Sequence, residues 1–108
     1  MFSFIADERE KSYFVLASYN AGPAHIMDAR RLAKRYGRSA YLWFDNTEFW
    51  LQLLRSEEYG TDSVVLYGTF VNSYETVEYV KKVVRTEQRF KRLTQDSTTY
   101  NESTEDAD

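Results

Sequence analysis

Cysteine is absent from this sequence, histidine and proline occur once each, and only four residues are glycine. Without cysteine the chain can form neither a disulfide nor a thiolate metal site, and one imidazole leaves carboxylates to complete any other metal site. No apolar run approaches the length of about 18 residues that a transmembrane helix requires. We therefore expect no metal, no other cofactor and no membrane span in this chain.

The charge is small and unevenly distributed. The chain has 14 basic and 17 acidic residues and a net charge of -3. Five of the acids and none of the bases lie between residues 94 and 108, so residues 1–93 carry about +2. A tail rich in Ser, Thr, Asp and Glu buries too little apolar surface to fold, so we expect 94–108 to be a disordered acidic tail. A weakly basic body does not suggest a nucleic-acid partner.

Aromatic residues make up 17% of the chain, with nine Tyr and seven Phe. Tyrosine can bury its ring while it keeps its hydroxyl at a surface, as in carbohydrate-binding clefts. The alternative is that most rings are core, which we expect for the phenylalanines. With 43% hydrophobic residues the chain can build one folded core.

Capping signals and apolar spacing predict four helices. For the irregular stretch over 56–72 they do not decide between a loop, an extended segment and a short helix. Asp7 and Glu10 form a capping-box-like start, and Gly22 followed by Pro23 is typical of one helix ending and another beginning. The spacing also places Tyr36 and Phe90 on inward faces. The expected helices cover residues 7–20, 23–36, 47–55 and 73–92, and the absence of alternating strands indicates an all-α domain.

Two motifs resemble a known family. Residues 17–22 (ASYNAG) resemble the Ala-Tyr-Asn-Ala-Gly motif of the lytic transglycosylase, or goose-lysozyme-like, domain. Residues 75–80 (ETVEYV) are similar to its Glu-Thr-x-x-Tyr-Val helix start. Further residues resemble the membrane-bound lytic transglycosylase F branch, so that the resemblance covers roughly residues 3–92: His25, Asp28-Ala29, Leu32-Ala33, Trp43, Tyr59 and Tyr67-Gly68-x-Phe70.

The resemblance implies a lysozyme-like helical fold and a peptidoglycan glycan strand as partner. In the complete family domain a glutamic acid cleaves the bond between N-acetylmuramic acid and N-acetylglucosamine and gives a 1,6-anhydro product without a metal. That glutamate is followed by Ser and lies upstream of the first motif, where this sequence has no Glu-Ser pair. We therefore expect 1–93 to be the C-terminal portion of such a domain, with no catalytic residue of its own and no activity alone.

By resemblance, the residues that face the glycan are Tyr19, Asn20 and Tyr79. An amide offers both a donor and an acceptor to sugar hydroxyl and acetamido groups. The alternative is that Asn20 caps its helix and both tyrosines are half-buried core. We interpret His25 as structural and Glu75 as a helix cap. Arg30, Arg31, Lys34 and Arg35 form either a solvated face or a surface for the anionic peptide stems of peptidoglycan.

Three alternatives remain open for the chain as a whole. The first is that it is the C-terminal portion of a lytic transglycosylase domain without the catalytic helix. The second is a non-catalytic peptidoglycan-binding or protein-interaction remnant, and the third is one half of an enzyme whose other half is a separate chain. If an N-terminal half is missing, an apolar patch loses its cover. The chain would then self-associate, exchange its N-terminal segment between copies or repack that segment over its own core, and a homodimer is the simplest of these outcomes. The members of the patch would be Phe2, Phe4, Ile5, Tyr13 and Phe14. The family implies the cell envelope or periplasm, although the first residues do not resemble a signal peptide.

Overall fold

The computed structural model describes the backbone of residues 2–107 and the side chains of residues 2–95. It contains no strand in this part of the chain, which confirms the all-α prediction. A five-residue π-type turn at Trp43–Thr47 precedes the third helix. The five α-helices, numbered in chain order, are α1 Glu8–Ala21, α2 Pro23–Tyr36, α3 Glu48–Leu53, α4 Glu57–Gly60 and α5 Ser73–Ala107.

The ends of α1 and α2 follow from their capping residues. The Asp7 carboxylate accepts a hydrogen bond from the Glu10 backbone N–H at 2.9 Å, so Asp7 is the N-cap of α1. Gly22 has φ +87° between the two helices, and Pro23 opens α2 at a position where its missing N–H is no loss. Gly37 ends α2 in the left-handed conformation. Each of these boundaries lies within one residue of its prediction.

The core lies where α1, α2, α3 and α5 meet around the turn at residues 43–47. The Trp43 side chain is fully buried, and its ring contacts the Phe14 ring edge-on at 5.4 Å between centroids. Burying an aromatic side chain of this size dominates the energetics of a small core. The fully buried aliphatic residues around it include Ile26, Leu32, Leu51, Leu54, Val77 and Val80.

The N-terminal segment covers its own core. Phe2 and Ile5 are each only 1% exposed, and the Phe2 ring lies 5.6 Å from the buried Phe14 ring. Of the outcomes expected for this patch, the structure shows the segment repacked over its own core, so Phe2, Ile5 and Phe14 are buried against α1 and are not an exposed patch. Phe4 remains about half exposed. A homodimer stays a prediction, but this patch does not supply its interface.

Two rings expected to face inward lie largely at the surface. Tyr36 is 45% exposed: one face of its ring stacks against Trp50, at 4.9 Å between centroids, and its hydroxyl donates a hydrogen bond to the Asp62 carboxylate. Phe90 is 68% exposed and lies in the part of α5, from Arg85 to Gln95, where every side chain is exposed. Periodicity identifies the apolar face of a helix, but it does not show where the neighbouring helices end.

The backbone of α5 continues to Ala107, through the segment for which composition predicts disorder. Every side chain from Arg85 to Gln95 is exposed, although Glu87, Gln88 and Lys91 line a hollow with residues of α1, so this part of the helix buries little surface to stabilise it. The side chains from residue 96 lie outside the described residues. A disordered tail over 94–108 stays a prediction about the chain in solution.

Candidate functional site

Asn20 connects the end of α1 to the start of α5. Its Oδ1 accepts a hydrogen bond of 2.7 Å from the Oγ1 of Thr76, which is fully buried. Asn20 itself is exposed at the surface and is followed by Gly22, whose backbone N–H caps the helix. The alternative role of Asn20 as a helix cap is therefore not what its side chain does here. The bond instead fixes the orientation of an exposed amide.

Tyr79 lies one helical turn after Thr76, on the same side of α5. Its ring is half-buried and packs against the core. The hydrogen bond between Asn20 and Thr76 thus brings Tyr79 into the neighbourhood of the α1 terminus. The position of Tyr79 agrees with both interpretations, a glycan-facing hydroxyl and a half-buried core ring.

Tyr19 occupies a different surface. It is 88% exposed, the most exposed large hydrophobic side chain among the described residues, and lines a shallow hollow of about 260 Å³ together with Phe2, Val15, Ser18 and Pro23. It makes no ring contact with Tyr79 within the described part of the chain. The structure therefore connects Asn20 to the turn of α5 that carries Tyr79, whereas Tyr19 lies on the separate hollow next to Pro23.

Ser18 is a member of this hollow that the sequence did not single out. Its Oγ is buried and has no hydrogen-bond partner among the described residues. A buried hydroxyl without a partner costs free energy, so such groups call for an explanation. The only sign of this position in the sequence is that Ser18 directly precedes the Tyr-Asn pair. Because a serine on a helix more often faces solvent or bonds to its own backbone, this sign is too weak to identify it.

Asp28 holds the loop before α5 in place. Its carboxylate is fully buried and accepts hydrogen bonds from the backbone N–H groups of Leu66, at 2.8 Å, and Tyr67, at 2.9 Å. Arg31 forms an ion pair with the same carboxylate at 2.5 Å and donates to the Val64 carbonyl at 3.1 Å. We call Asp28, Arg31 and residues 64–67 the loop clasp. It presents Tyr67 with its side chain exposed.

Glu48 is the carboxylate with the most unusual environment. It is 5% exposed, and burial raises the pKa of its carboxyl above the ordinary 4.5, while the Asp45 N–H that donates to it at 3.3 Å acts in the opposite sense. A raised pKa is a property of general acids. However, the Glu48 side chain is nearly inaccessible to solvent, so we assign it no catalytic role.

An all-α body that carries these two motifs where its helices meet is compatible with a lysozyme-like domain. Its curated relatives are named membrane-bound lytic murein transglycosylase F. The chain is 38% identical over 100 residues to the protein of Vibrio campbellii, which covers 93% of this chain and 18% of that protein. It is 37% identical over 83 residues to that of Desulfosudis oleivorans, 77% of this chain and 17% of the relative.

The chain is therefore a homologue of part of membrane-bound lytic murein transglycosylase F, which confirms the resemblance found in its motifs. It spans less than a fifth of the length of these curated relatives, at 17% and 18% for the two above. No family model and no solved structure matches the chain. Within the described residues, no helix combines the length and apolarity needed to cross a bilayer.

Proposed function

We propose that this chain forms the glycan-facing part of a peptidoglycan lytic transglycosylase domain that works in the cell envelope. The observation that supports this most directly is the exposed Asn20, held by Thr76 one turn away from Tyr79, with the exposed Tyr19 next to it. These are the three positions that the family resemblance assigns to the glycan. Asn20 and the turn that carries Tyr79 lie where α1 meets α5, and Tyr19 faces the hollow next to Pro23.

The hydrogen bonding of Asn20 defines what it can offer to a sugar. Because its Oδ1 accepts from Thr76, its Nδ2 group remains to donate, and the carbonyl of an N-acetyl group is a suitable acceptor. Tyr19 offers an aromatic face for a pyranose ring and a hydroxyl for its polar edge. Together these groups favour an uncharged N-acetylated sugar at the end of α1.

We further propose that the 108-residue chain does not cleave the strand by itself. In the complete family domain one carboxylic acid protonates the glycosidic oxygen and then acts as base on the muramic 6-hydroxyl. No residue of this chain matches that acid by sequence, and the carboxyl with the raised pKa, Glu48, is buried. The acid would come from another part of a longer protein or from another chain.

An activity assay tests this division of labour. The 108-residue polypeptide is incubated with purified peptidoglycan, and the soluble products are analysed for 1,6-anhydro-muropeptides by mass spectrometry. We expect none, because the loss of a general acid costs about 100- to 10,000-fold in rate. Release at a rate comparable with a full-length relative run in parallel would overturn the proposal, and Asp7, Glu8 and Glu10 would then be the first carboxylates to mutate.

A binding assay tests the glycan surface separately. We expect millimolar binding of chitotetraose, seen as amide shifts around Tyr19, Asn20 and Tyr79, and a loss of about threefold or more in Tyr19→Ala and Asn20→Ala. Phe90→Ala is the matched control, since it removes an exposed aromatic ring from the far part of α5. Shifts confined to other surfaces would favour the core interpretation of the tyrosines.

A binding module without catalysis is the second candidate. It is favoured by the burial of Phe2 and Ile5 in the chain's own core, since a self-covered body can act as a unit. The two candidate functions predict different results when the missing catalytic segment is supplied by a second protein. If adding the catalytic-acid segment of a relative to this chain produces anhydro products, the enzyme interpretation holds, and if glycan binding persists without any product the binding module is favoured.

A further inference from the structure

The basic face of α2 contains two adjoining hollows. The first, of about 370 Å³, is lined by Phe4, Met27, Arg30, Arg31, Lys34 and Tyr41, with Ala40 at its base. The second, of about 320 Å³, is lined by Arg31, Lys34, Arg35 and Val64. Neither is lined by an acidic residue. Because Arg31 and Lys34 belong to both, the two hollows form one surface, which we call the cationic groove.

Two charges of the cationic groove lack a counter-ion. Arg31 is paired with Asp28, and Arg35 with Asp62 at 3.7 Å. No ion pair to Arg30 or Lys34 occurs among the described side chains. An anion that enters the groove would therefore meet two positive charges that no carboxylate of the described chain neutralises.

Arg30 is held rigidly in the groove. Its Nε donates to the Ala40 carbonyl at 2.7 Å, and its guanidinium carbon lies 4.1 Å from the Phe4 ring centre and 5.3 Å from that of Tyr41. A guanidinium that is stacked and bonded through Nε keeps its terminal N–H groups in a fixed direction. Nη1 donates to the Met27 sulfur at 3.7 Å, a weak acceptor, so Nη2 and the second Nη1 hydrogen are left to donate to a carboxylate.

Two neighbouring rings relate the cationic groove to the Tyr19 hollow. Phe2 lines the Tyr19 hollow, Phe4 lines the groove, and their ring centroids are 5.9 Å apart. Along α2, Arg30 follows Pro23 by a rise of about 10 Å. An extended peptide of four residues spans about 13 Å. A short acidic peptide attached to a sugar at Tyr19 can thus place a carboxylate at Arg30.

We infer that the cationic groove binds a carboxylate of the peptide stem of peptidoglycan while the glycan lies against Tyr19 and Asn20. This inference rests on the proposed function, because it needs the glycan at the end of α1. A concave groove of two uncompensated charges suits a small carboxylate better than the flat surface of an anionic membrane. Lys34 is then a specificity residue for stem-bearing strands over bare glycan.

The test uses the 108-residue chain labelled with 15N, and amide shifts are followed during titration at low salt. The probes are the free stem tetrapeptide, the same peptide with its carboxylates amidated, and chitotetraose. The variants are Lys34→Gln and Lys34→Glu, with Lys82→Gln as a matched control on α5, where an exposed lysine lines neither hollow. Dispersion of the amide spectrum establishes that each variant is folded.

We expect the tetrapeptide to shift amides near Arg30, Lys34 and Ala40. Lys34→Gln should weaken its binding about threefold to tenfold, and Lys34→Glu more, while Lys82→Gln has no effect. Amidation of the peptide should cause a similar loss, and raised salt should weaken the acidic peptide alone. Chitotetraose binding should be unchanged in the Lys34 variants.

Equal binding of the acidic and amidated peptides, or an equal loss in Lys82→Gln, would overturn the inference. Binding of anionic phospholipid vesicles through Lys34, without binding of the tetrapeptide, would do the same and point to a membrane surface. The proposed function fails in a different way: chitotetraose would cause no shifts at Tyr19 while the tetrapeptide still bound through Lys34. The two failures are therefore distinguishable in one set of titrations.

Discussion

Thr76 is the residue on which the orientation of the Asn20 amide depends. It is buried, and its Oγ1 is the donor of the bond to Asn20. Thr76→Val keeps the shape and removes that donor, so we expect a loss of about 0.5–1.5 kcal/mol in the free energy of unfolding, measured by urea titration. Thr86→Val, an exposed change on the same helix, should stay within about 0.5 kcal/mol. Equal effects would mean that the bond contributes nothing specific.

Glu48 should make stability fall as pH rises. Burial raises the pKa of its carboxyl in the folded chain above the ordinary 4.5. Between pH 4.5 and that raised pKa, the folded state therefore binds more protons than the unfolded state. The free energy of unfolding then decreases through that window as the buried carboxyl ionises. Glu48→Gln should remove this slope, so that the variant gains stability over the parent with rising pH. Urea titrations between pH 4 and 8 that show parallel curves would contradict this assignment.

Asp62 should have the opposite effect on the pH dependence of stability. The hydrogen bond from the Tyr36 hydroxyl, followed by that from the Val64 N–H, lowers the pKa of its carboxyl below the ordinary 3.8. The stabilisation is therefore present above pH 3.8 and is lost as pH falls through the lowered value. Asp62→Asn should destabilise the chain near neutral pH and have little effect in strong acid. Acid titration of the two proteins, followed by circular dichroism, provides the comparison.

At the scale of elements, the sequence predicted the helix ends that depend on neighbouring residues. It did not predict structure that depends on contacts between residues further apart in the chain. The Asp7 cap and the Gly22-Pro23 junction are local, so α1 and α2 were predicted within a residue. The turn at 43–47 has Asp45 at φ +61°, which is unfavourable for a residue other than glycine. It is held by hydrogen bonds from the Arg38 side chain to the Asp45 carbonyl and from the Ser39 N–H to Asn46. No pattern in the sequence indicates that residues 38 and 39 meet this turn.

The candidate site divides in the same way. The motif alone indicated the exposed end of α1, because the Tyr-Asn pair precedes a helix-ending glycine. The burial of Asp28 could not be predicted, since its partners at Leu66 and Tyr67 lie 38 and 39 residues away. An aspartate in the first turns of a helix fits the helix dipole equally well, and that local explanation hid the loop clasp.

The loop clasp should be among the most sensitive elements of the fold. Asp28→Asn removes the charge that Arg31 and two backbone N–H groups share, so we expect a loss of about 2–4 kcal/mol in the free energy of unfolding. Asp7→Asn is the matched control, because asparagine caps a helix about as well as aspartate. Comparable losses in the two variants would show that the clasp carries no special weight.

At the scale of the whole molecule, α5 is much longer than the body it packs on. The longest extent of the chain is 67 Å against 26 and 21 Å in the other directions. We expect slow amide hydrogen exchange over Val77–Val84, where α5 packs on the core, and nearly unprotected exchange over 94–108. An isolated helical end is only marginally stable in water. Acidic side chains near its C-terminus also interact unfavourably with the negative end of the helix dipole. Slow exchange throughout α5 would contradict the predicted disordered tail and indicate a partner along the helix beyond residue 84.

The long sequence separation within the loop clasp has a kinetic consequence. Most contacts of a helical chain are local and form early in folding. The contact between Asp28 and Leu66 closes a loop of 38 residues, and because that closure costs chain entropy, the contact forms late. Removal of a late contact accelerates unfolding and leaves folding nearly unchanged. Asp28→Asn should therefore raise the unfolding rate constant by roughly 30- to 900-fold in stopped-flow experiments. Brief opening of the clasp would then expose residues 64–67 to proteases well before the helices separate.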